Sequence, residues 1–435
     1  MNVDADKEFN QISKILRKEH RSTRNRIHSI LYDSEFVVNV ANRYPYPVVA
    51  NERCGSWYVR PDDLDETCYF KSTDGHTDNW DFSTRRLNFH LLPIIAENHG
   101  IIIVDSTRRG KKIPDSQSKT IPIWCAVLNA IRENSTEGEL FTPLKTVARS
   151  EHIRITQLLP SLIQKVASLD IISSEYLRSL FPKPLKPVWI TPSSKVLPPL
   201  ETPDQLPYIP VILVTASFRC QDGTRPMDGY LYVQGAADDH ELWSSGLTPA
   251  MLWQHLDYFE NKEHTETQLQ EYIASIKPTA APSTSIFDNL VQITPLLAKG
   301  KLSSMHISSF PQFDYLVVLD QAVTFKSREH NCNPKLLHLP LDSQSKKSGK
   351  DLRNRLPGIV PELVKALSDS KSVLVLCKTG TDLAVGVVLC LLCTLDNHQI
   401  DKAIIRKHLV RIIDLDKAVN PSRATLNSVN SYLMS

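Results

Sequence analysis

The sequence predicts an α/β protein in two domains, the first of α+β type, and three observations lead there. With 435 residues the chain is long enough for two or three domains, and 41% hydrophobic residues is ordinary for a globular interior. Beyond residue 286, short apolar runs alternate with helical periodicity, the pattern of a mostly parallel or mixed sheet covered on both faces. Between the two parts, Lys277-Pro278-Thr279-Ala280-Ala281-Pro282-Ser283-Thr284-Ser285 interrupts regular structure. The expected layout is a first domain over 1–276, a linker over 277–285 and a second domain over 286–435.

Composition excludes some classes. The longest apolar stretch, Leu383 to Leu395, is too short to span a bilayer and fits a buried core helix. The amino terminus, Met1-Asn2-Val3-Asp4-Ala5-Asp6, lacks the charged-then-apolar pattern of a secretory signal. Eight scattered cysteines suggest reduced thiols and a cytoplasmic location. The tight pair Cys390 and Cys393 lies inside an apolar helix with no second pair beside it, so two small core residues are expected there, not zinc ligands. A net charge of +2 decides nothing about nucleic acid, which only local charge pattern can address.

Along the chain, a basic helix opens the first domain. Lys14, Arg17, Lys18, Arg21, Arg24 and Arg26 are interleaved with Ile12, Ile15, Leu16, Ile27 and Ile30, so one face can pack while the other offers cations to a phosphate backbone or to solvent. Lys71-Ser72-Thr73-Asp74-Gly75-His76 gathers a cation, two hydroxyls, an acid and an imidazole in one turn. Ile101-Ile102-Ile103-Val104 reads as a buried strand running directly into Asp105-Ser106-Thr107-Arg108-Arg109-Gly110-Lys111-Lys112, with Lys119 close behind. An acid at a strand end followed by hydroxyls, a glycine and cations suits a phosphorylated, metal-bound ligand. Prolines crowd residues 181–210, which excludes helix and favours an extended wrap. In Tyr230 to Trp243 a strand delivers Asp238, Asp239 and His240 just before a helix, and Thr248-Pro249 supplies a helix cap with a first-turn proline.

In the second domain, Tyr315 to Leu319 and Lys335 to Leu339 read as buried strands and Leu352 to Leu367 as a helix carrying Pro357 and Pro361 near its start. Val373 to Leu376 is a central strand leading into Cys377-Lys378-Thr379-Gly380-Thr381-Asp382 and another helix. That loop resembles the phosphate loop of dual-specificity phosphatases, and His338-Leu339-Pro340-Leu341-Asp342 and Asn420-Pro421-Ser422-Arg423 resemble other parts of the same fold. The phosphatase His and Arg are replaced by Leu376 and Leu383, so hydrolysis should be lost while main-chain donors can still cradle a phosphate.

Taken in order, Asn51 to Tyr58, Lys71 to His76, Asp105 to Trp124, Gln234 to Trp243 and Cys377 to Asp382 resemble the initiator-tRNA 2′-O-ribosyl-phosphate transferases. Thr381 stands where a lysine is more usual in that family's loop. The resemblance implies transfer of a phosphoribosyl group from 5-phosphoribosyl 1-pyrophosphate to the 2′-hydroxyl of a T-stem adenosine in cytosolic initiator tRNA, with Mg²⁺. The donor phosphates are then expected on Ser106, Thr107, Arg108, Arg109, Gly110, Lys111, Lys112 and Lys119, or on the Cys377 loop. Asp105, which also belongs to the donor site, and the Asp238/Asp239 pair are candidates for the metal or for ribose hydroxyls, and Asp74, His76, Asp239 and His240 for proton transfer. RNA is expected as partner, through backbone shape and the basic opening helix, with no DNA or membrane partner. The alternative is a non-catalytic phosphate- or RNA-binding module built on a degenerate phosphatase fold.

Overall fold

The computed structural model describes residues 19–71, 80, 86–195, 197, 202, 204–277, 286–307, 311–325, 334–341, 348–396 and 399–435. Two compact units divide the chain, one of residues 1–83, 88–167 and 172–278, the other of 84–87, 168–171 and 279–435.

The first unit opens with α1 (Thr23–Ala41), capped by the Ser22 hydroxyl, which accepts from the Asn25 amide. There follow β1 (Val48–Asn51), β2 (Glu66–Cys68), α2 (Leu91–Asn98), β3 (Ile101–Asp105), α3 (Ile121–Arg132), α4 (Arg149–Ala167), α5 (Ser174–Leu180), β4 (Leu185–Ile190) and β5 (Ile209–Thr215). A hairpin, β6 (Thr224–Met227) and β7 (Tyr230–Val233), precedes α6 (Pro249–Gln254), α7 (Leu256–Phe259) and α8 (Glu266–Ile276). The cap of α6 is the Thr248 hydroxyl with Pro249 in the first turn.

Strands β1 to β5 make one sheet in the order β2-β1-β3-β5-β4, parallel throughout. The α/β class holds, but the α+β arrangement expected for this unit gives way to a parallel sheet. Its β3 and β5 are buried at every position, as strands covered on both faces must be. The order reverses at β1, with β2 on one side and β3, β5 and β4 on the other. The carboxyl ends of β1 and β3 therefore flank the reversal, the usual ligand position in such sheets.

The proline-rich segment is also not a simple wrap, because β4 and the start of β5 lie within it. Pro187 sits on β4, the sheet edge, and Pro210 pairs with β4 just before the register with β3 begins at Val211. Each proline thus falls where a missing N–H leaves no ladder bond unmade.

Helix α1 departs from the expected basic face as well. Asn25, Arg26, Ser29 and Asp33 are buried and serve the hairpin: Asn25 Oδ1 accepts from the Leu231 amide, Ser29 Oγ from the Val233 amide, and Asp33 from the Tyr232 hydroxyl. Arg24, expected to face phosphates, donates instead to the carbonyls of Lys262 and His264. Arg21 is exposed, and Lys14, Arg17 and Lys18 lie outside the described residues.

The second unit contains β8 (Phe287–Thr294), β9 (Leu297–Leu302), β10 (His306–Ile307), β11 (Tyr315–Leu319), β12 (Thr324–Phe325), β13 (Lys335–His338), α9 (Ser348–Ser368), β14 (Val373–Cys377), α10 (Leu383–Leu395), α11 (Lys402–Leu415) and α12 (Arg423–Leu433). Its main sheet runs β13-β11-β14-β9-β8, with only the β8 ladder antiparallel. Alternate residues take opposite faces. Val317, Leu319, Val373, Val375 and Cys377 pack with residues of α9 to α12, while Leu316, Val318, Leu374 and Leu376 pack with Ala298, Leu302, Ile307 and Val323. Strand β13 is a half-exposed edge, not the buried strand expected. Helix α9 starts earlier than expected, so Pro357 and Pro361 lie in its interior; both are on the exposed side, where water can take the carbonyls they leave unpaired.

The described cysteines are free thiols, and Cys390 and Cys393 are buried in the core of the second unit. No helix among the described residues is long and apolar enough to cross a membrane.

Candidate active site

The loops at the ends of β1 and β3 bring a cluster of polar side chains together. Asp105 closes β3 and is fully buried, and its carboxylate accepts from Ser116 Oγ at 2.5 Å, Asn51 Nδ2 at 2.9 Å and the Ser106 amide at 2.8 Å. Burial pushes its pKa up, against the pull of the Arg53 guanidinium and these donors. The Arg53 Nε lies 3.8 Å from Asp105, while the other end of the fork reaches Asp238 at 3.4 Å and the Ser106 carbonyl at 3.0 Å. One planar cation therefore joins the acid that ends β3 to the acid delivered after β7.

Two backbone features hold the loops in register. Tyr58 is fully buried, and its hydroxyl accepts from Ser106 Oγ at 3.1 Å and from the Ala237 amide at 3.2 Å, tying the loop after β3 to the loop after β7. Gly235, at φ +66°, lies so close that a Cβ would stand 2.6 Å from the Thr107 carbonyl and 2.8 Å from the Arg108 Cα. A π-helical turn, Ser116–Thr120, then leads into α3; such turns recur at functional sites because they re-aim side chains within a helix. It is pinned by the buried Gln117, whose amide nitrogen bridges the Ile103 and Val214 carbonyls.

The expected site residues divide into two groups. Ser106 and Thr107 are buried beside Asp105, while Arg108, Arg109 and Gly110 are exposed and Lys111 and Lys112 half-exposed on the same loop. Arg108 reaches Asp238 at 3.9 Å, Arg109 faces Asp222 at 3.9 Å, and Lys111 lies 3.3 Å from Asp115. Lys119 differs, because it is ion-paired with Glu151 at 2.8 Å and Asp115 at 3.4 Å, so its charge is committed within the fold. Asp239 is exposed at φ +50°, and His240 is half-exposed with its ring 6.0 Å from Trp57. Asp74 and His76 lie outside the described residues. Sequence reasoning did not assign a role to Arg53, Asn51 or Tyr58, and it placed Ser116 only among the hydroxyls that follow Asp105. The first three belong to the Asn51 to Tyr58 stretch, whose position after a short apolar run was the available signal.

The carboxylates do not fit a metal held by the chain. Asp105 is enclosed by its own donors and Asp238 faces two guanidinium groups, and no group of three or more His, Cys, Asp or Glu able to hold a metal occurs among the described residues. In this geometry Arg53 lies between the two carboxylates and Arg108 reaches Asp238.

In the second unit, the Cys377 loop turns at Gly380 (φ +70°), whose amide donates to Cys377 Sγ at 3.2 Å. Thr379 Oγ1 accepts from the Thr381 amide at 3.3 Å, and Lys378 is half-exposed. Asp382 is not turned to a ligand: it accepts from the Ser422 amide at 2.9 Å and the Thr425 hydroxyl at 2.5 Å, fixing the start of α12. Leu376 and Leu383 are buried. Below the loop, the buried Lys299 is ion-paired with Asp416 and donates to the Gly380 carbonyl at 3.1 Å.

Comparison with known proteins finds relatives of both units. Residues 16–278 match the family model described as the Rit1 N-terminal domain, and residues 335–433 match the Rit1 DUSP-like domain. The tRNA A64-2′-O-ribosylphosphate transferase of Saccharomyces cerevisiae is 41% identical, covering 98% of this chain and 95% of its own. An uncharacterised protein of Schizosaccharomyces pombe is 34% identical over 98% of both. Among solved structures, human DUSP28 covers 34% of this chain at 13% identity with a TM-score of 0.26, and the Cydia pomonella PTP-2 phosphatase covers 33% at 15% identity with a TM-score of 0.25. With both family models in chain order and a relative this similar from end to end, the chain belongs to the Rit1 family.

Proposed function

We propose that this enzyme, a tRNA ribosylphosphate transferase, takes its phosphoribosyl group from 5-phosphoribosyl 1-pyrophosphate and places it on the 2′-hydroxyl of a T-stem adenosine in cytoplasmic initiator tRNA, setting that tRNA apart from elongators. The 41% identity over 98% of the chain to a tRNA A64-2′-O-ribosylphosphate transferase carries the general reading. The donor and the choice of tRNA rest on the chemistry of the loops after β1 and β3 and on the motif resemblance.

In this reaction the bond from the ribosyl C1′ to pyrophosphate breaks with its electron pair leaving on oxygen. The 2′-oxygen forms the new bond to C1′, and its proton passes to a base. Negative charge grows on the departing pyrophosphate, where Arg108, Arg109, Lys111 and Lys112 present cations. Arg53, held between Asp105 and Asp238, fixes the loop that carries them. Asp239 and His240 are the described groups free to take the proton, since Asp238 is committed to arginines. The direct test mixes labelled donor with initiator and elongator tRNA, with and without Mg²⁺. Label on initiator tRNA alone is the expected result, and label on neither tRNA overturns the reading.

Two substitutions refine it. Arg108→Ala should weaken donor binding by roughly 1–2 kcal/mol, the lower part of the range for a charge-assisted hydrogen bond because this side chain is half exposed. Calorimetry would detect it, and unchanged donor affinity would move the phosphates elsewhere. Cys377→Ser should leave transfer within about two-fold, since no covalent thiol intermediate is needed when a hydroxyl attacks C1′ directly. A burst of phosphate from an aryl phosphate, lost on that substitution, would instead establish a phosphatase.

A further inference from the structure

A buried guanidinium ties a histidine at the start of α1 to the loop after β7. Arg26 is 6% exposed, and its Nη1 donates to the Ala236 and Asp238 carbonyls at 2.7 and 2.8 Å. Its Nε donates to the His20 carbonyl at 2.9 Å, and its Nη2 lies 3.4 Å from His20 Nδ1. The backbone that carries Asp238 and the imidazole of His20 therefore share one planar cation, as Asp105 and Asp238 share Arg53. The acceptors of Arg26 are neutral, and it makes no ion pair among the described residues. A charge withdrawn from water with no carboxylate in contact leaves a positive field at the surface above it.

The contact at Nδ1 decides what the ring can do. A guanidinium has N–H groups and no acceptor, so Nδ1 must accept, and in the neutral imidazole the proton then sits on Nε2. Burial, followed by the charges of Arg26, Arg109 and Arg21, lowers the His20 pKa from its ordinary value, so the neutral ring is the form present near pH 7. His20 is half-buried, and its Nε2 has no hydrogen-bond partner among the described residues. A neutral ring in this tautomer offers one N–H and keeps no lone pair free to take a proton. His20 is thus unsuited to the proton transfer open to Asp239 and His240, and suited to donating a hydrogen bond to an anionic oxygen.

The neighbours say which oxygen. The loop that Arg26 grips is the one whose Gly235 packs against Thr107 and Arg108, and Arg108 reaches Asp238 on it. His20 therefore stands at the junction with the cations of the loop after β3, and the Arg109 charge acts on its ring. We infer that His20 Nε2–H donates to a pyrophosphate oxygen of 5-phosphoribosyl 1-pyrophosphate, alongside Arg109, with Arg26 holding the ring in the required tautomer. His20 is then a residue that binds the phosphoribosyl donor, and Arg26 is the positioning residue behind it. The inference rests on the donor named under the proposed function. Phosphate oxygens also line the RNA backbone, and the experiment separates the two sources.

Calorimetry on the full chain, with Mg²⁺ present, measures affinity for 5-phosphoribosyl 1-pyrophosphate, inorganic pyrophosphate and tRNA, with thermal unfolding recorded for each variant. His20→Ala removes both ring nitrogens. His20→Asn keeps an oxygen near the place of Nδ1, within reach of Arg26, and nothing at Nε2, whereas His20→Gln keeps an N–H near the place of Nε2. The alanine and asparagine variants should bind pyrophosphate and 5-phosphoribosyl 1-pyrophosphate about ten-fold more weakly, and the glutamine variant within about three-fold of the wild type, the scale of one hydrogen bond to a charged oxygen lost or kept. Affinity for tRNA should stay unchanged in all three. Should the alanine variant unfold, the asparagine and glutamine variants carry the same comparison. Unchanged pyrophosphate affinity in the folded variants overturns the inference; if turnover falls in all three, His20 is instead the proton acceptor. Rescue by asparagine and not by glutamine also overturns it, because the ring then serves only Arg26. So does a fall confined to tRNA affinity, because the oxygen then belongs to the RNA backbone. A wild type whose pyrophosphate affinity depends on His20 but which binds no 5-phosphoribosyl 1-pyrophosphate overturns the proposed donor alone.

Discussion

Arg53→Met should lower transfer by roughly two to three orders of magnitude, the scale of removing a preorganised charged donor from a reaction centre. The guanidinium contacts Asp105, Asp238 and the Ser106 carbonyl together. Its loss leaves a fully buried carboxylate without its cation, and breaking such a pair costs about 3–5 kcal/mol. Thermal unfolding and single-turnover transfer should therefore fall together. Arg53→Lys separates the two effects, because an ammonium can restore charge near Asp105 but cannot span to Asp238 as a fork. Stability should recover more than rate. A folded Arg53→Met enzyme with wild-type turnover would remove this residue from the mechanism.

Gly235→Ala should destabilise the first unit by about 2–5 kcal/mol, a sum of left-handed backbone strain and overpacking. The added methyl would meet the Thr107 carbonyl at 2.6 Å and the Arg108 Cα at 2.8 Å, both backbone atoms with little room to yield. Gly110 provides the control. It also has a positive φ, of +79°, yet nothing lies within 4 Å of its missing Cβ, so Gly110→Ala should cost only the backbone term of about 1–2 kcal/mol. Equal melting shifts for the two variants would show that the close approach of the acidic and basic loops contributes nothing.

Local order was legible where burial is continuous. The runs at 101–105, 315–319 and 373–377 announce strands because both faces need apolar residues, and the Thr248-Pro249 cap announces a helix start through its own chemistry. Asp105 at the end of such a run could be read as a site residue for the same reason. Its partners could not. Asp238 meets Arg53 across 185 positions of sequence, and that meeting depends on the strand order β2-β1-β3-β5-β4, which no local pattern encodes. Prolines at 187 and 210 argued against strands, although an edge position and a one-sided pairing accommodate both. Helix α1 misled in the opposite sense: its charges looked solvent-facing, but Arg24 and Arg26 are spent on backbone carbonyls.

The buried Lys299 beneath Gly380 clamps the Cys377 loop from inside the second unit. This internal cation, tethered to Asp416, holds the loop from behind. Leu383 is interior, at 1% exposure. Leu376→His with Leu383→Arg would therefore force two polar groups into packed hydrophobic clusters and leave the loop still anchored to Lys299.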